Sequence, residues 1–454
     1  MKDGFKSGWG FILAAAGSAI GLGNIWRFPY LVGEYGGFAF IVTYLIIVFL
    51  VCNPIMVAEI SLGRTSRSNM VDAYDIVGKK TGIKNLWIYK IFGGYAGLVG
   101  LFLISSFYFL VAGWVLFYLK EIVNGDLLNR AKDDFSIIFS DLSKDFYKQY
   151  FYGSMFLFLT ASVVYKGVSN GIEKVCVALT PLLFLFFIIM AINSISLDDA
   201  FDGLKFLFTP DISQINTVDK FSKMVLSALG QAFISLSLGY GMLLVYGSYF
   251  PKEEKLFKSV KFIEFFDVFA ALLSAIIILP AIFSVGLDQS SGPGLTFISL
   301  PIVFKNITGG FFWSIIFYSL LCLATLTSTI SVYEGMSNFF INKYKKSRKD
   351  ATIITFFMVF FGFSFVCASF SGYINLNILG KDLFYWSDYI SSTYIAAIVS
   401  ITMSIFVGYK AMKSIMKNIQ KSDHVSKRYL KYFLITLKYI APISLFLLLI
   451  LSII

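Results

Sequence analysis

The sequence contains little of what soluble enzymes use for catalysis. His424 is its single histidine, so metal or acid–base chemistry centred on histidine has almost no material. No glycine-rich nucleotide loop is present. The four cysteines lie in apolar segments without metal-ligand spacing, and no disulfide framework is expected. They are Cys52, Cys176, Cys322 and Cys367. We therefore expect a protein that is not an enzyme.

Charge is also scarce, and its distribution excludes a further class of protein. Charged residues make up 14% of the 454 positions, against about 25% in soluble domains. The net charge of +11 lies in short loops between apolar segments, so it indicates membrane topology and no nucleic-acid partner. Apolar and aromatic residues reach 57%, which requires a lipid bilayer as the surrounding solvent.

Long apolar runs are what the sequence has in abundance. A spanning helix needs about 20 mostly apolar residues, and eleven segments are predicted to span. The first is too long for a cleaved signal peptide and is expected to be retained. Loop 286–309 is predicted to form a helical hairpin that dips back toward the protein. The eleven segments are 8–34, 38–62, 86–120, 150–165, 171–192, 221–249, 257–285, 310–340, 353–370, 385–412 and 432–454.

Positive charge alternates between successive loops. Lysine and arginine are concentrated in every second loop, whereas loops 121–149 and 195–220 are acidic or balanced. Loops could be charged simply because they are solvated, but sorting by sign across ten loops indicates topology. We expect an all-α, multi-pass membrane protein with a cytoplasmic N-terminus and an extracytoplasmic C-terminus.

Two predicted helices are interrupted near their middle. Glycines 17, 21 and 23 precede Asn24 in the first, and the sixth contains the segment 235–241, which ends in Gly-Tyr-Gly. Interrupted helices at corresponding positions of two repeats are typical of an alternating-access binding site. Glycines 17 and 21 alone also fit a GxxxG pattern for close helix packing. The predicted units are a first five-helix repeat at 1–195, a second at 220–412, and a cytoplasmic loop with the eleventh helix at 413–454.

Polar residues inside the predicted spans are further signals of function. Thr327 and Ser328 share a helical stripe with Ala324 and could present oxygens to a hard cation. Such hydroxyls more often bond back to their own helix. Ionisable residues inside a span are functional hypotheses by default, although the two glutamates here could merely accept hydrogen bonds from freed backbone N–H groups. These residues are Arg27, Glu59, Asp267 and Glu334.

Three segments carry a resemblance to a known family. Residues 17–30 read GSAIGLGNIWRFPY, residues 230–249 read GQAFISLSLGYGMLLVYGSY, and residues 323–331 read LATLTSTIS. In this order they resemble helices 1, 6 and 8 of the neurotransmitter:sodium symporters, whose bacterial members include the leucine transporter. The resemblance covers almost the whole chain. It implies 11 transmembrane helices in a 5+5 inverted repeat with broken helices 1 and 6, located in a bacterial inner membrane.

The resemblance also implies two sodium sites. The first takes the carbonyls of Gly17, Ile20 and Ala324 with the hydroxyls of Thr327 and Ser328. The second takes the Ala19 carbonyl, the Asn24 side chain and Ser235, and the substrate carboxylate completes it. Asp267 lies either at a ligand position of this second site or one turn along. In either position its fixed negative charge implies chloride independence.

A substrate site follows from the same resemblance. Backbone N–H groups of Gly21, Leu22 and Gly23 would meet a carboxylate at a half-helix N-terminus, and Tyr108 would touch the same group. The substrate amine would meet the carbonyls of Ala19, Ile234 and Ser237. The other substrate-site positions are Ile104, Ser235, Tyr240, Ser328, Ser331 and Val332. This mostly apolar set implies a neutral, hydrophobic or aromatic L-amino acid.

The resemblance also implies residues that close the two ends of the transport pathway. Arg27 and Asp388 match an outer ion pair with Gln231 beside it, and Asp382 competes for the role of the acid. On the inner side Phe5 replaces a tryptophan usual in the family, so the gate would close through other contacts, with Lys2, Lys6 and Tyr249 as candidates. Gly171 and Pro181 in helix 5 imply a segment that unwinds to admit water to the Gly17 sodium site.

The sequence therefore predicts a sodium-coupled symporter that works by alternating access with two sodium ions. Its expected partners are an amino acid, Na⁺ and the bilayer, and no oligomeric state is predicted. A sodium-independent exchanger of the same architecture is one alternative, but it would be expected to lack the Thr327–Ser328 pair. A channel or a transport-like receptor is the other.

Overall fold

The computed structural model describes residues 4–129, 134–198, 200–211, 215–287, 294–420 and 423–452. The described chain is almost entirely helical. Extended pairing within it is limited to one isolated bridge between Ile378 and Lys381. The predicted all-α class is confirmed.

Within these described ranges, eight helices are long and apolar enough to cross a membrane, and one bent pair would form a ninth span. The bent pair is α1 (Gly8–Ala19) and α2 (Gly23–Glu34). The eight are α3 (Phe38–Ser66), α5 (Trp87–Val123), α8 (Val168–Ile195), α12 (Leu256–Phe283), α14 (Gly310–Lys343), α15 (Arg348–Phe370), α16 (Leu383–Ile419) and α17 (Lys427–Leu451).

The remaining helices are shorter or less apolar. They are α4 (Asp72–Lys80), α6 (Asp134–Lys144), α7 (Phe146–Tyr165), α9 (Ala200–Phe208), α10 (Val218–Ser235), α11 (Met242–Ser248) and α13 (Leu295–Asn306). Predicted span 150–165 coincides with α7, and span 221–249 with α10 and α11 together. The count of eleven spans stays a prediction. Within the predicted hairpin, α13 is an apolar helix, while residues 288–293 lie outside the described chain.

Both predicted helix interruptions are confirmed. The axes of α1 and α2 meet at 51° across the break at residues 20–22. Six residues separate α10 from α11, and among them Ser237, Gly239 and Gly241 have positive φ. The Glu59 carboxylate of α3 lies near the backbone N–H groups of Gly239 and Gly241, but neither of its oxygens has a hydrogen-bond partner among the described residues. That Glu59 accepts hydrogen bonds from freed backbone groups therefore stays a prediction.

Glu334 has side-chain partners that the sequence did not predict. Its carboxylate accepts the Tyr249 hydroxyl at 2.6 Å and pairs with the Arg348 guanidinium, because Arg348, at the start of α15, returns to the last turns of α14. Its role as an acceptor for backbone N–H groups stays a prediction. The charge of Glu334 is therefore compensated by an ion pair.

Helix α1 lies at the centre of the bundle, where it packs against α8, α12 and α14. Ten of its twelve residues are buried, as expected for a helix that is apolar all round. Small residues permit this close packing. A Cβ on Gly17 would lie 3.0 Å from the Cβ of Thr327. Gly17 therefore also permits close helix packing, as the GxxxG alternative predicts. This packing places the helix 1 break against α14.

Candidate functional site

A cavity of about 320 Å³ lies where the two breaks face α5, α14 and α16. Its lining is mostly apolar and aromatic. Eleven of the thirteen predicted substrate-site residues line it, together with Arg27 and Asp388. The eleven are Ala19, Gly21, Leu22, Gly23, Ile104, Tyr108, Ile234, Ser237, Tyr240, Ser328 and Val332.

Gly21 lies close to two polar side chains of the cavity wall. A Cβ there would lie 2.6 Å from Ser328 Oγ and 2.9 Å from the Tyr108 hydroxyl. The Leu22 N–H, freed by the helix break, donates to the Tyr108 hydroxyl at 3.2 Å. Tyr108 thus lies beside the backbone groups that were predicted to meet a carboxylate.

Oxygens converge next to Gly21. Ser328 Oγ lies 3.4, 3.2 and 3.4 Å from the carbonyl oxygens of Gly17, Ser18 and Ile20. One hydroxyl proton cannot satisfy three carbonyls, so this group carries excess acceptor capacity. Such a cluster fits a hard cation, which oxygen ligands bind. The Thr327 hydroxyl instead donates to the carbonyl of Ala324 at 3.0 Å, which is the back-bonded alternative.

A second polar cluster surrounds Asp267 of α12. Its carboxylate accepts from Asn24 Nδ2 at 2.8 Å, from Ser235 Oγ at 2.8 Å and from the Tyr44 hydroxyl at 3.0 Å. All four residues are at most 1% exposed. Within the described chain no lysine or arginine forms an ion pair with Asp267. A buried carboxylate is costly without a compensating positive charge, so the cluster fits a cation.

Comparisons with known proteins agree with this geometry. The model of the "Sodium:neurotransmitter symporter family" matches residues 2–131 and 151–454. The chain belongs to this family. An uncharacterized sodium-dependent transporter of Haemophilus influenzae is 33% identical to this symporter over 442 residues, which are 95% of this chain and 93% of the relative. The uncharacterized sodium-dependent transporter YhdH of Bacillus subtilis is 31% identical over 436 residues, which are 96% and 94% of the two chains.

A solved structure shares the symporter's fold. It is MhsT in complex with L-phenylalanine, which superposes with a TM-score of 0.88 at 34% identity and covers 99% of both chains. The protein is thus a sodium-dependent symporter of this family, and not an enzyme.

Two predicted substrate residues of the symporter lie behind the cavity wall. Ser235 belongs to the Asp267 cluster. The Ser331 hydroxyl accepts from Ser18 Oγ at 2.6 Å and donates to the Ser328 carbonyl at 2.7 Å. Ser331 therefore holds the wall in place and does not line the cavity.

The outer ion-pair candidates are also placed. Asp388 lines the cavity, whereas Asp382 caps the N-terminus of α16 by accepting the Tyr385 N–H at 2.8 Å. The position of Asp388 therefore fits the acid of the outer ion pair better than that of Asp382. Arg27 lies near Asp388 but, within the described chain, forms no ion pair with it. The Gln231 amide donates to the Gly23 carbonyl at 2.9 Å, and its place beside the outer pair stays a prediction.

Sequence reasoning missed part of the lining. Six aromatic or apolar residues that were not predicted belong to it: Trp26, Tyr30, Phe107, Val111, Met242 and Phe384. Helical spacing could have found at least four of them. Trp26 stands four residues after Leu22, and Phe107 and Val111 extend the stripe of Ile104 and Tyr108 at positions i, i+3, i+4 and i+7. Phe384 stands four residues before Asp388.

The predicted inner-gate contacts are partly different. Phe5 packs edge-on against Tyr246 and Tyr249, while Lys2 lies outside the described residues. Lys6 contributes its backbone, because its N–H donates to Glu173 at 2.8 Å. Glu173 also accepts the Ser7 N–H and hydroxyl, both at 3.2 Å. No pattern in the sequence singled out Glu173.

Proposed function

We propose that this symporter accumulates a neutral, hydrophobic or aromatic L-amino acid by alternating access, with two sodium ions and without chloride. The observation that carries the proposal is the cavity, which lies at the helix 1 break and is lined by Ser328, while the Asp267 cluster lies behind its wall. The volume of the cavity is near the lower limit of about 300 Å³ for ligand pockets, as a single amino acid requires. The phenylalanine bound in the MhsT structure supports an aromatic substrate.

The roles of the polar clusters follow from this proposal. The Ser328 cluster would hold one sodium ion with Gly17, Ile20, Ala324 and Thr327, the last after its hydroxyl rotates. The Asp267 cluster would hold the other with Ala19, Asn24 and Ser235. A substrate carboxylate would lie against Gly21, Leu22, Gly23 and Tyr108. Asp267 supplies the fixed negative charge that a bound chloride would otherwise provide, which supports chloride independence.

The membrane arrangement belongs to the proposal too. Eleven spans would form repeats at 1–195 and 220–412, followed by a loop and the last helix at 413–454. The N-terminus would be cytoplasmic and the C-terminus extracytoplasmic. Arg27, Gln231 and Asp388 would close the outer side over the substrate.

Uptake into proteoliposomes tests the function. A panel of radiolabelled amino acids is offered with and without an inward sodium gradient, and with chloride replaced by gluconate. We expect accumulation of aromatic or large aliphatic amino acids that requires sodium and is unchanged in gluconate. Accumulation that is indifferent to sodium would favour the exchanger alternative, and a loss of uptake in gluconate would contradict chloride independence.

Helix α8 supplies a prediction about sodium release. Thr180, beside Pro181, donates to the Leu13 carbonyl at 3.2 Å, so this part of α8 contacts α1 next to the Gly17 site. Proline destabilises a helix by about 3 kcal/mol relative to alanine. Pro181→Ala is therefore expected to resist unwinding and to slow sodium release about tenfold. Release is followed after dilution of sodium-loaded protein into sodium-free buffer.

The matched control is Pro280→Ala, because Pro280 is also a proline inside a long helix but does not adjoin the Gly17 site. Equal release rates for the Pro181 variant and wild type would contradict the unwinding role. Gly171→Ala is unsuitable for this test, since its Cβ would lie 2.1 Å from the Val163 carbonyl oxygen and would distort the packing of α7 on α8.

A further inference from the structure

One charged residue inside the last helix has no part in the proposed transport site. Lys438 lies within α17, about two helical turns beyond Lys431. The preference for positive charge on one side of the membrane explains the lysines of the loop before α17, but it does not explain a lysine this far along the helix. A charge inside a membrane-spanning segment marks a functional site by default.

The last two helices run antiparallel, and Lys438 contacts the part of α16 that leads into the basic segment 410–431. At the opposite end of this pair, the Tyr389 hydroxyl donates to the Ser452 carbonyl at 2.9 Å. The basic segment itself adjoins the start of α12, because Asp423 accepts the Leu256 N–H at 2.9 Å. In the proposed topology this end is cytoplasmic, so Lys438 belongs to the half of α17 on that side.

Helix α16 holds the side chain of Lys438 in place. The ammonium group lies 5.0 Å from the centroid of the Tyr409 ring, and the Tyr409 hydroxyl donates to the Lys438 carbonyl at 3.2 Å. A Cβ on Gly408 would lie 3.2 Å from Cγ of Lys438, so the lysine stem passes close over α16. These contacts keep the ammonium group beside the Tyr409 ring instead of extended along the helix toward water.

The surroundings of Lys438 face the lipid. Tyr409 and Tyr439 are 48% and 54% exposed, and their hydroxyls adjoin each other. Ile440 beside them is exposed too, as is Lys410, the neighbour of Tyr409 in the chain. We define the α16–α17 cluster as Tyr409, Lys410, Lys438 and Tyr439. It presents two ammonium groups and two phenol hydroxyls, all of which can donate hydrogen bonds.

No acid balances the two lysines of this cluster, as far as the structure describes the chain. Between Asp388 and Asp423, and from Asp423 to the C-terminus, the sequence contains no aspartate or glutamate. Helix α4 packs against this part of α16, but its Asp72 and Asp75 already pair with other lysines. The ion pairs of the described residues include neither lysine of the cluster. Because an uncompensated charge beside lipid is costly, an external anion fits here.

We propose that the α16–α17 cluster binds the phosphate group of an anionic phospholipid, of which phosphatidylglycerol is the simplest example. Lysine is a common phosphate ligand, and the two tyrosine hydroxyls can donate to further phosphate oxygens. The acyl chains would lie along the exposed apolar residues of α17. Because the cluster contains no carboxylate, it offers no partner to the ammonium group of phosphatidylethanolamine and therefore selects an anionic lipid.

Two further lysines extend the cluster along α16. Lys413 and Lys417 follow Lys410 at positions i+3 and i+7, so three exposed lysines share one face of the helix. Juxtamembrane lysines of this kind attract anionic lipids. A phospholipid held here would join α16 to α17 whatever the transported substrate is, so the inference does not rest on the proposed function.

Lipid binding to the purified full-length protein tests the inference. Delipidated protein in detergent is titrated with phosphatidylglycerol or phosphatidylethanolamine, and bound lipid is counted by native mass spectrometry. We expect wild type to bind phosphatidylglycerol about tenfold more tightly, and the double variant Lys410→Gln/Lys438→Gln to lose about tenfold in affinity for it. The matched control is Lys427→Gln/Arg428→Gln, which removes two exposed charges from the start of the same helix and should match wild type.

The outcomes distinguish a defined site from general attraction to a basic surface. Wild-type affinity in the cluster variant overturns the inference, and so does an equal loss of affinity in the control variant. Excess soluble glycerol phosphate should leave the lipid bound, and displacement would overturn the assignment to a lipid. Should the double variant fail to fold, Lys410→Gln alone decides, because this exposed residue can be replaced without disturbing the packing. An unchanged affinity for phosphatidylglycerol in that variant overturns the inference.

Discussion

Asp267→Asn is expected to raise the sodium concentration that gives half-maximal uptake by about tenfold or more relative to wild type. The carboxylate is fully buried and accepts three hydrogen bonds from Asn24, Ser235 and Tyr44. A unit charge about 4 Å from another is worth about 4 kcal/mol at an effective dielectric constant of 20. Asparagine keeps an oxygen ligand but loses this attraction.

Sodium titrations of uptake in proteoliposomes measure the effect. Asp219→Asn is the matched control, because Asp219 is exposed and its ion pair within the described chain is with Lys223 at the start of α10. Chloride should stimulate the Asp267 variant and leave wild type unchanged, since a mobile anion can replace the lost fixed charge. An unaltered sodium titration in Asp267→Asn would show that the cluster binds no sodium.

Gly21→Ala is expected to reduce uptake about a hundredfold, because small displacements of binding groups have effects of this size. The new Cβ would lie within 3 Å of both Ser328 Oγ and the Tyr108 hydroxyl. Both atoms end side chains that can rotate away, so the protein should fold normally. Rotation would, however, disperse the oxygens next to α1 and remove Tyr108 from the Leu22 N–H.

Substrate binding and uptake should be measured together with the thermal midpoint of unfolding. Gly230→Ala is the control, because nothing lies within 4 Å of a Cβ at that position of α10. Gly23→Ala gives a graded comparison, since its nearest contact would be an ordinary 3.5 Å to Ile234. If the Gly21 variant took up substrate at the wild-type rate, Gly21 would not be part of the substrate-binding site.

The sequence was most informative where a local rule was broken. Glycines within apolar runs predicted both helix interruptions, because a membrane helix cannot stop without placing its freed backbone groups. The lining stripe of α5 obeys helical spacing and was partly recovered. Local signals of this kind depend on residues within one or two turns, so they can be read from a single chain.

Side-chain contacts between different helices were harder to predict from the sequence. Asp267 could be placed near a sodium site, but its hydrogen bonds to Tyr44 and Asn24 join three helices and depend on their relative rotation. The pairing of Glu334 with Arg348 could not be predicted, because Arg348 stands beyond the end of its helix. Glu173 carries no motif at all. Such contacts follow from tertiary packing, which local pattern does not encode.

The start of α1 shows what gate opening must involve. The orphan N–H groups of a helix N-terminus need acceptors, and here Glu173 serves Lys6 and Ser7 while Glu254 serves Gly8 at 3.2 Å. These acceptors belong to other segments, so α1 cannot tilt away without leaving them. Water is then the natural replacement, because an unsatisfied amide is costly and a water-mediated bond is nearly equivalent. Hydration of the N-terminal segment and its release are therefore one event, and the ease of opening depends on how readily water enters.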